Sequence, residues 1–156
     1  CSTFMSLSLT GHWPILIEKA RQQADRTRQE LVAAQARLTS LQTNLSRIKT
    51  LIAEYQGQDH VRDGQSRSMR ERLNTRAFIA QLQSAYSKLE SEEQKMGSVV
   101  GQVRSRLQRD EQEVMKMEKL AEGAERALRV EQQRREQKGY DELALLRSHW
   151  ASNTAN

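Results

Sequence analysis

The residues that could do acid–base, nucleophilic or metal chemistry in this chain are few and scattered. The 156 residues include three histidines, one cysteine and 20 acidic residues. His12, His60 and His149 lie far apart, and none has another metal-binding residue at the spacing of a known metal site. Neither a phosphate-binding glycine loop nor a nucleophile elbow occurs, and a solvated charged face explains the carboxylates. The sequence therefore predicts a protein that is not an enzyme and needs no cofactor or metal.

The single cysteine, Cys1, bears on the compartment. It excludes an internal disulfide and fits a reducing environment, although a first-position cysteine would also suit a lipidated lipoprotein. We favour a cloning remnant or a misassigned start ahead of Met5, which leaves open whether residues 1–4 are native. No stretch approaches the roughly 18 apolar residues of a membrane span, and no signal-peptide pattern is present. A cytoplasmic protein is the expectation.

The composition is typical of long helices rather than of a globule. Hydrophobic residues make up 37% and aromatic residues 4%, against 29% charged residues and a single proline. The formal charge of +5 raises the question of nucleic-acid binding. However, acidic residues interleave even the densest basic run, residues 62–76, and no groove-reading motif or aromatic platform accompanies it. No nucleic-acid partner is therefore expected.

Two apolar stripes with a seven-residue period predict two helices that pack against each other. The first stripe comprises Ile17, Ala20, Ala24, Thr27, Leu31, Ala34, Leu38, Leu41, Leu45, Ile48, Ile52 and Tyr55. The second comprises Ile79, Leu82, Tyr86, Leu89, Glu93, Met96, Val100, Val103, Leu107, Asp110, Val114, Met117, Ala121, Ala124 and Leu128. The predicted fold class is all-α, with two long helices in an antiparallel coiled-coil hairpin whose second helix is longer.

The chain is expected to divide into three parts. Residues 1–13 form a mobile N-terminal segment, and residues 139–156 form a short amphipathic segment with a frayed tail. Between them, residues 14–138 form the hairpin, with its loop at about 57–67. Pro14 suits the first turn of the first helix, and Ser68-Met69-Arg70-Glu71 fits a capping box at the start of the second.

The register of the hairpin is predicted from a fold about residue 62. This places Val32 near Glu93, with Arg28 able to pair with Glu93, and starts the first helix opposite Asp110. Residues 111–138 would then form an overhang without a facing helix, covered only in part by the first residues of the chain. We expect the overhang to dock on another protein or on a second copy.

Three short motifs occur in order along the chain. Residues 51–55 read Leu-Ile-Ala-Glu-Tyr, residues 78–85 fit the pattern Phe-Ile-x-x-Leu-x-x-Ala, and residues 137–144 fit Gln-Lys-x-x-Asp-Glu-x-Ala. In these motifs and their spacing the chain resembles the FliJ family of flagellar type III export, and more distantly the injectisome stalk counterpart. The likeness spans roughly residues 13–147.

The resemblance implies a stalk similar to the gamma subunit of rotary ATP synthases. Its partners would be a hexameric export ATPase, a membrane export-gate protein and export chaperones, in the service of flagellum biogenesis and motility. It would link and activate the ATPase and the gate, escort the chaperones, and associate peripherally with the inner face of the cell membrane through these partners.

The family's gate-binding patch carries over to five positions. Leu51 and Leu89 depart from the family pattern, which often has an aromatic residue at the first position and a polar one at the second. Three members of the patch also belong to the apolar stripes, so packing alone could explain them, whereas Phe78 and Ala85 flank the stripe. The expected gate-binding residues are Ile48, Tyr55, Phe78, Leu82 and Ala85.

By the stalk analogy, the end of the hairpin far from the loop would enter the ATPase ring. The expected ring-binding residues are Val114, Met117, Leu128, Arg126, Arg129, Arg134, Arg135 and Lys138. Two other classes of protein stay open at this point. One is a structural or tethering coiled coil that dimerises through the overhang, and the other is a basic coiled coil associated with nucleic acid.

Overall fold

The structure, a computed structural model, describes the backbone of residues 2–62 and 68–155, with side chains described from Gly11 onward. The first helix, α1, spans Ser2–Arg62, and the second, α2, spans Met69–Thr154. No strand occurs in these described residues. The predicted fold class, two long helices with the second longer, is confirmed.

The helices extend further than the breaker residues suggest. Pro14 lies inside α1 rather than in its first turn, so the predicted helix start is wrong. Each added residue contributes a further hydrogen bond to a growing helix, and one proline removes only one of them. Glycine keeps its backbone hydrogen bond, and α1 continues through Gly57 to Arg62 while α2 continues through Gly139. The rest of the predicted loop, residues 63–67, lies outside the described residues.

The chain divides into two compact units. The first unit comprises Cys1–Gln23 with Asp110–Asn156, and the second comprises Ala24–Arg109. In the second unit, Arg106 Nη1 lies 2.8 Å from Glu30 Oε2. Further along α1 in the same unit, Gln42 Nε2 donates a hydrogen bond of 3.3 Å to Glu93 Oε1. Partner numbers fall along α2 as they rise along α1, so the two helices of this unit are antiparallel.

The predicted register of this pairing is wrong. Glu93 contacts Gln42 rather than the neighbourhood of Val32. Arg28 Nη1 instead lies 2.5 Å from Asp25 Oδ1, one turn away on the same helix. The predicted fold point lies too early in the chain, because α1 does not end at Gly57 but continues to Arg62. A glycine inside a helix costs only about 1 kcal/mol relative to alanine, which tertiary packing readily offsets.

The seam between the helices follows the predicted heptad positions. The buried apolar side chains are Ala24, Leu41, Val100 and Val103. Thr27, one turn after Ala24 on α1, is fully buried as well. Every other position of the two predicted stripes is half-buried. The heptad prediction is therefore confirmed at each position, including the polar Glu93 and Asp110.

The predicted overhang is wrong over much of its length. In the first unit, Arg21 Nη2 donates a hydrogen bond of 2.6 Å to Glu118 Oε1, and this bond raises the pKa of Arg21. Val114, Met117 and Leu128 are half-buried in the same unit. A stretch of α1 thus lies against α2 here, because α1 begins before Pro14 and its partner positions lie further along α2. Asp110 accordingly does not lie beside the start of α1.

The start of α2 confirms the serine half of the predicted capping box. Ser68 Oγ accepts a hydrogen bond of 3.3 Å from the Glu71 backbone N–H. We expect Ser68→Ala to lower the free energy of unfolding by about 1 kcal/mol, because the cap would be lost. Thermal unfolding followed by circular dichroism measures this. Ser87→Ala, at an exposed mid-helix position, is the matched control, and an equal effect of both changes would contradict the capping role.

Two exposed glycines inside α2 make it less stable than it could be. A Cβ atom added at Gly97 or Gly101 would meet nothing within 4 Å. Gly97→Ala and Gly101→Ala should therefore each raise the free energy of unfolding by about 1 kcal/mol. Urea denaturation measures the change. The reverse substitution Ala127→Gly, at another exposed position of α2, should lower stability by a similar amount, and a loss of stability in the alanine variants would disprove the argument.

Candidate partner-binding surfaces

The expected gate-binding residues lie in the unit Ala24–Arg109, where both helices contribute to them. The rings of Tyr55 on α1 and Phe78 on α2 meet edge to face, with centroids 4.8 Å apart and an interplanar angle of 64°. This is a favourable geometry for an aromatic pair. Phe78 is 40% exposed, while Tyr55 is half-buried. The structure thus brings two of the five residues into direct contact and leaves one of them accessible.

The other three expected gate-binding residues are less accessible. Ile48 and Leu82 are half-buried at seam positions, and Ala85 is half-buried at the flank of the seam. Burial at these positions means that part of each side chain stabilises the helix pair rather than meeting a partner. Phe78 is consequently the large apolar side chain of the set that a partner reaches most easily.

Leu51 is an additional exposed apolar residue close to this pair. It is 39% exposed and lies one turn before Tyr55 on α1, so the two side chains are neighbours on the helix surface. From the sequence alone, Leu51 is only a departure from a position that is often aromatic. Its position directly before the stripe residue Ile52, and so outside the stripe, is the sequence feature that indicates an exposed side chain. We call Leu51, Tyr55 and Phe78 the aromatic patch.

The expected ATPase-binding residues form two groups in the unit Cys1–Gln23 with Asp110–Asn156. Val114, Met117 and Leu128 are half-buried seam residues. They were expected to bind the ATPase because no helix was predicted to face them, and the Arg21–Glu118 contact contradicts that prediction. The basic members are all exposed and therefore available to a partner. These exposed members are Arg126, Arg129, Arg134, Arg135 and Lys138.

Three of these arginines pair with glutamates on their own helix. Arg129 Nη2 lies 2.5 Å from Glu125 Oε1. Glu131 pairs with two arginines: its Oε1 lies 3.4 Å from Arg135 Nε, and its Oε2 lies 3.8 Å from Arg134 Nε. The arginine side chains in these pairs are 65–80% exposed. Exposed pairs of this kind are worth only a few tenths of a kcal/mol. The arginines can therefore exchange their local partner for an acidic residue of another protein at little cost.

The part of the chain that the structure describes contains neither a metal-binding cluster nor a membrane-spanning stretch. Within residues 11–62 and 68–155, no three or more His, Cys, Asp or Glu residues come together in a way that could hold a metal ion. Over the same residues neither helix contains a stretch that is both long and apolar enough to cross a bilayer. The described residues instead form two long helices with extended exposed surfaces.

Comparison with known proteins decides what kind of coiled coil this is. The family model described as flagellar FliJ protein matches residues 15–153. The chain belongs to the flagellar FliJ family. The match includes all 13 candidate positions discussed above, and it confirms the resemblance read from the three motifs. Neither the curated proteins nor the solved structures contain a match.

Membership of the FliJ family sets the functional context. The protein is associated with flagellar export, and its partners are components of the flagellar export apparatus. Of the two systems that the motifs allowed, the flagellar one is supported by the family match. The family match therefore supports a role in flagellum biogenesis, and the helical hairpin supports a coiled-coil architecture.

Proposed function

We propose that this FliJ-family protein is a non-enzymatic adaptor that links and activates the hexameric export ATPase and the export gate. In this proposal it also escorts export chaperones. It works in the cytoplasm, at the inner face of the cell membrane, where its partners hold it. The observation that carries the proposal is the family match over residues 15–153.

The gate side of the proposal uses the aromatic patch and its neighbours. Phe78 supplies an accessible aromatic side chain whose position is restrained by its contact with Tyr55. Aromatic anchors held in this way contribute most of the binding energy in many interfaces, because little side-chain entropy is lost on binding. Leu82 lies one turn further on at the adjoining seam position, and Ala85 lies two turns further on at the flank of the seam. The gate would therefore contact mainly α2, with Tyr55 acting as a positioning residue.

The ATPase side of the proposal uses the exposed basic residues between Arg126 and Lys138. Val114, Met117 and Leu128 are half-buried at predicted seam positions, so in this proposal the exposed basic side chains make the direct contact with the ring. Contact of this kind can stabilise an assembled ring or a productive subunit arrangement by mass action. The adaptor itself makes and breaks no covalent bond.

The test is a pair of measurements on the purified full chain. Binding to the hexameric export ATPase should accompany an increase in its rate of ATP hydrolysis, and separate pull-downs should capture the export-gate protein and export chaperones. Bovine serum albumin at equal concentration controls for non-specific stabilisation of the ATPase. Binding to neither the ATPase nor the gate would refute the proposal, and light scattering that shows only a self-associated chain would favour a tethering coiled coil.

A further inference from the structure

A surface at the start of α2 belongs neither to the seam nor to the aromatic patch. Met69 is 81% exposed and Leu73 is 61% exposed. Ala77 and Ala80, both exposed, follow at the spacing that keeps side chains on one face of a helix. We call these four residues the outer apolar stripe. It faces away from the seam, because Leu73 lies about half a turn from the seam position Leu82 at 100° per residue.

Basic residues line both edges of the outer apolar stripe. Arg70 and Arg76 are exposed, and at 100° per residue they fall on opposite sides of Leu73, each about 60° away. Glu71 is the only acidic residue from Met69 to Leu89. Its position is about 160° from Leu73, on the other side of the helix. The stripe is thus an apolar strip between two cations, and no carboxylate lies on it.

We infer that this face binds directly to the surface of an anionic lipid bilayer. Helices that lie in the plane of a membrane place apolar side chains below the head groups and basic side chains at the edges. Arginine stems can cover apolar surface while their guanidinium groups reach lipid phosphates. Met69, Leu73, Arg70 and Arg76 reproduce that arrangement over the first turns of α2.

The occupant is a bilayer rather than a protein because of the shape and size of the face. A stable protein interface buries about 800 Å² on each partner and relies on anchors that fill pockets. Here the large apolar side chains are only Met69 and Leu73, and they project from one convex helix. A fluid bilayer needs no matching pocket, and its negative charge complements the arginines. The resulting contact is weak and reversible, and it adds to the membrane attachment through partners that we propose above.

Co-sedimentation of the full chain with vesicles tests the inference. Vesicles made of equal parts phosphatidylcholine and phosphatidylglycerol should bind the protein, whereas vesicles of phosphatidylcholine alone should not. Met69→Gln with Leu73→Gln, and separately Arg70→Gln with Arg76→Gln, should each lower the bound-to-free ratio about tenfold. Raising the ionic strength should release the wild-type protein, because exposed charges are then screened.

Matched controls separate this face from general charge and hydrophobicity. Arg134→Gln with Arg135→Gln removes the same charge elsewhere on α2, and Val130→Gln with Leu145→Gln removes exposed apolar side chains. Neither pair should change vesicle binding, and circular dichroism should show equal helicity in all variants. The inference is overturned if anionic vesicles do not bind, if both vesicle types bind equally, or if the controls lose binding as much as the Met69 and Arg70 variants. ATPase stimulation without lipid should be unaffected by the Met69 and Arg70 variants. A failure of vesicle binding can therefore be distinguished from a failure of the proposed adaptor function.

Discussion

Replacing Arg126, Arg134 and Lys138 together by glutamate should abolish stimulation of the export ATPase. In the proposed complex these exposed cations meet acidic groups of the ring, and each reversal turns an attraction into a repulsion. Like charges facing each other across an interface cost several kcal/mol, which corresponds to a loss of binding of more than about 100-fold for three positions. The rate of ATP hydrolysis at increasing adaptor concentration measures the effect.

A control of equal charge change decides whether the position matters. Arg37, Lys49 and Lys88 are also exposed, but they lie in the unit Ala24–Arg109. Their replacement by glutamate should leave ATPase stimulation close to that of the wild type. Arg134 also loses its contact with Glu131, but an exposed pair of this kind contributes only a few tenths of a kcal/mol to the helix. Unchanged stimulation by the first variant would remove these residues from the ATPase-binding surface.

The double variant Phe78→Ala with Ala85→Asp should lose binding to the export gate while keeping its helices. Truncation of Phe78 removes the accessible ring of the aromatic patch, and a new carboxylate at Ala85 puts a charge into an apolar flank. Loss of one aromatic anchor typically costs about 2 kcal/mol or more, which is roughly a 30-fold loss of affinity. Surface plasmon resonance against the cytosolic part of the gate measures affinity, and far-UV circular dichroism measures helicity.

The matched control for this variant is Val99→Ala with Gln102→Asp. Val99 is 39% exposed, almost as much as Phe78, and both changes fall on an exposed part of the same helix. This control should bind the gate normally. If the Phe78 variant loses helicity in parallel with binding, the residue serves to pack the helix pair, and its role as a binding anchor must be abandoned.

The pairing face of each helix could be predicted from sequence, because burial repeats with the period of the helix. Ala24, Thr27, Leu41, Val100 and Val103 are buried and the remaining stripe residues are half-buried, as a seven-residue apolar repeat requires. Even Thr27 and Glu93, which break the apolar character of the stripes, take the predicted positions. A polar side chain inside such a repeat is carried into the seam by its apolar neighbours.

The register between the helices could not be predicted in the same way. A heptad pattern looks alike when one helix is moved along the other by whole repeats, so apolar spacing alone does not distinguish these arrangements. The register follows from where the helices turn and from specific cross-helix pairs such as Arg106–Glu30. Gly57 suggested an early turn, and the overhang inferred from that turn was wrong for the same reason.

The candidate sites were predictable in part. The resemblance of three motifs indicated the family, but the flanking position of two candidate residues did not fix their exposure: Phe78 is exposed, whereas Ala85 is half-buried. The contact between Tyr55 and Phe78 depends on the register and could not be foreseen from the stripes. The local pairs of Arg129 with Glu125 and of Arg135 with Glu131 have the spacing of four residues that is typical of ion pairs within a helix.

The thin seam has a consequence for how this sequence changes over evolutionary time. Few side chains are fully buried in the described residues, and substitutions at exposed positions usually alter stability by less than about 0.5 kcal/mol. Most exposed positions outside the partner-binding surfaces can therefore be substituted with little loss of stability while the spacing of the apolar residues is kept. We therefore expect related chains to keep the seven-residue spacing of their apolar residues longer than they keep individual residues.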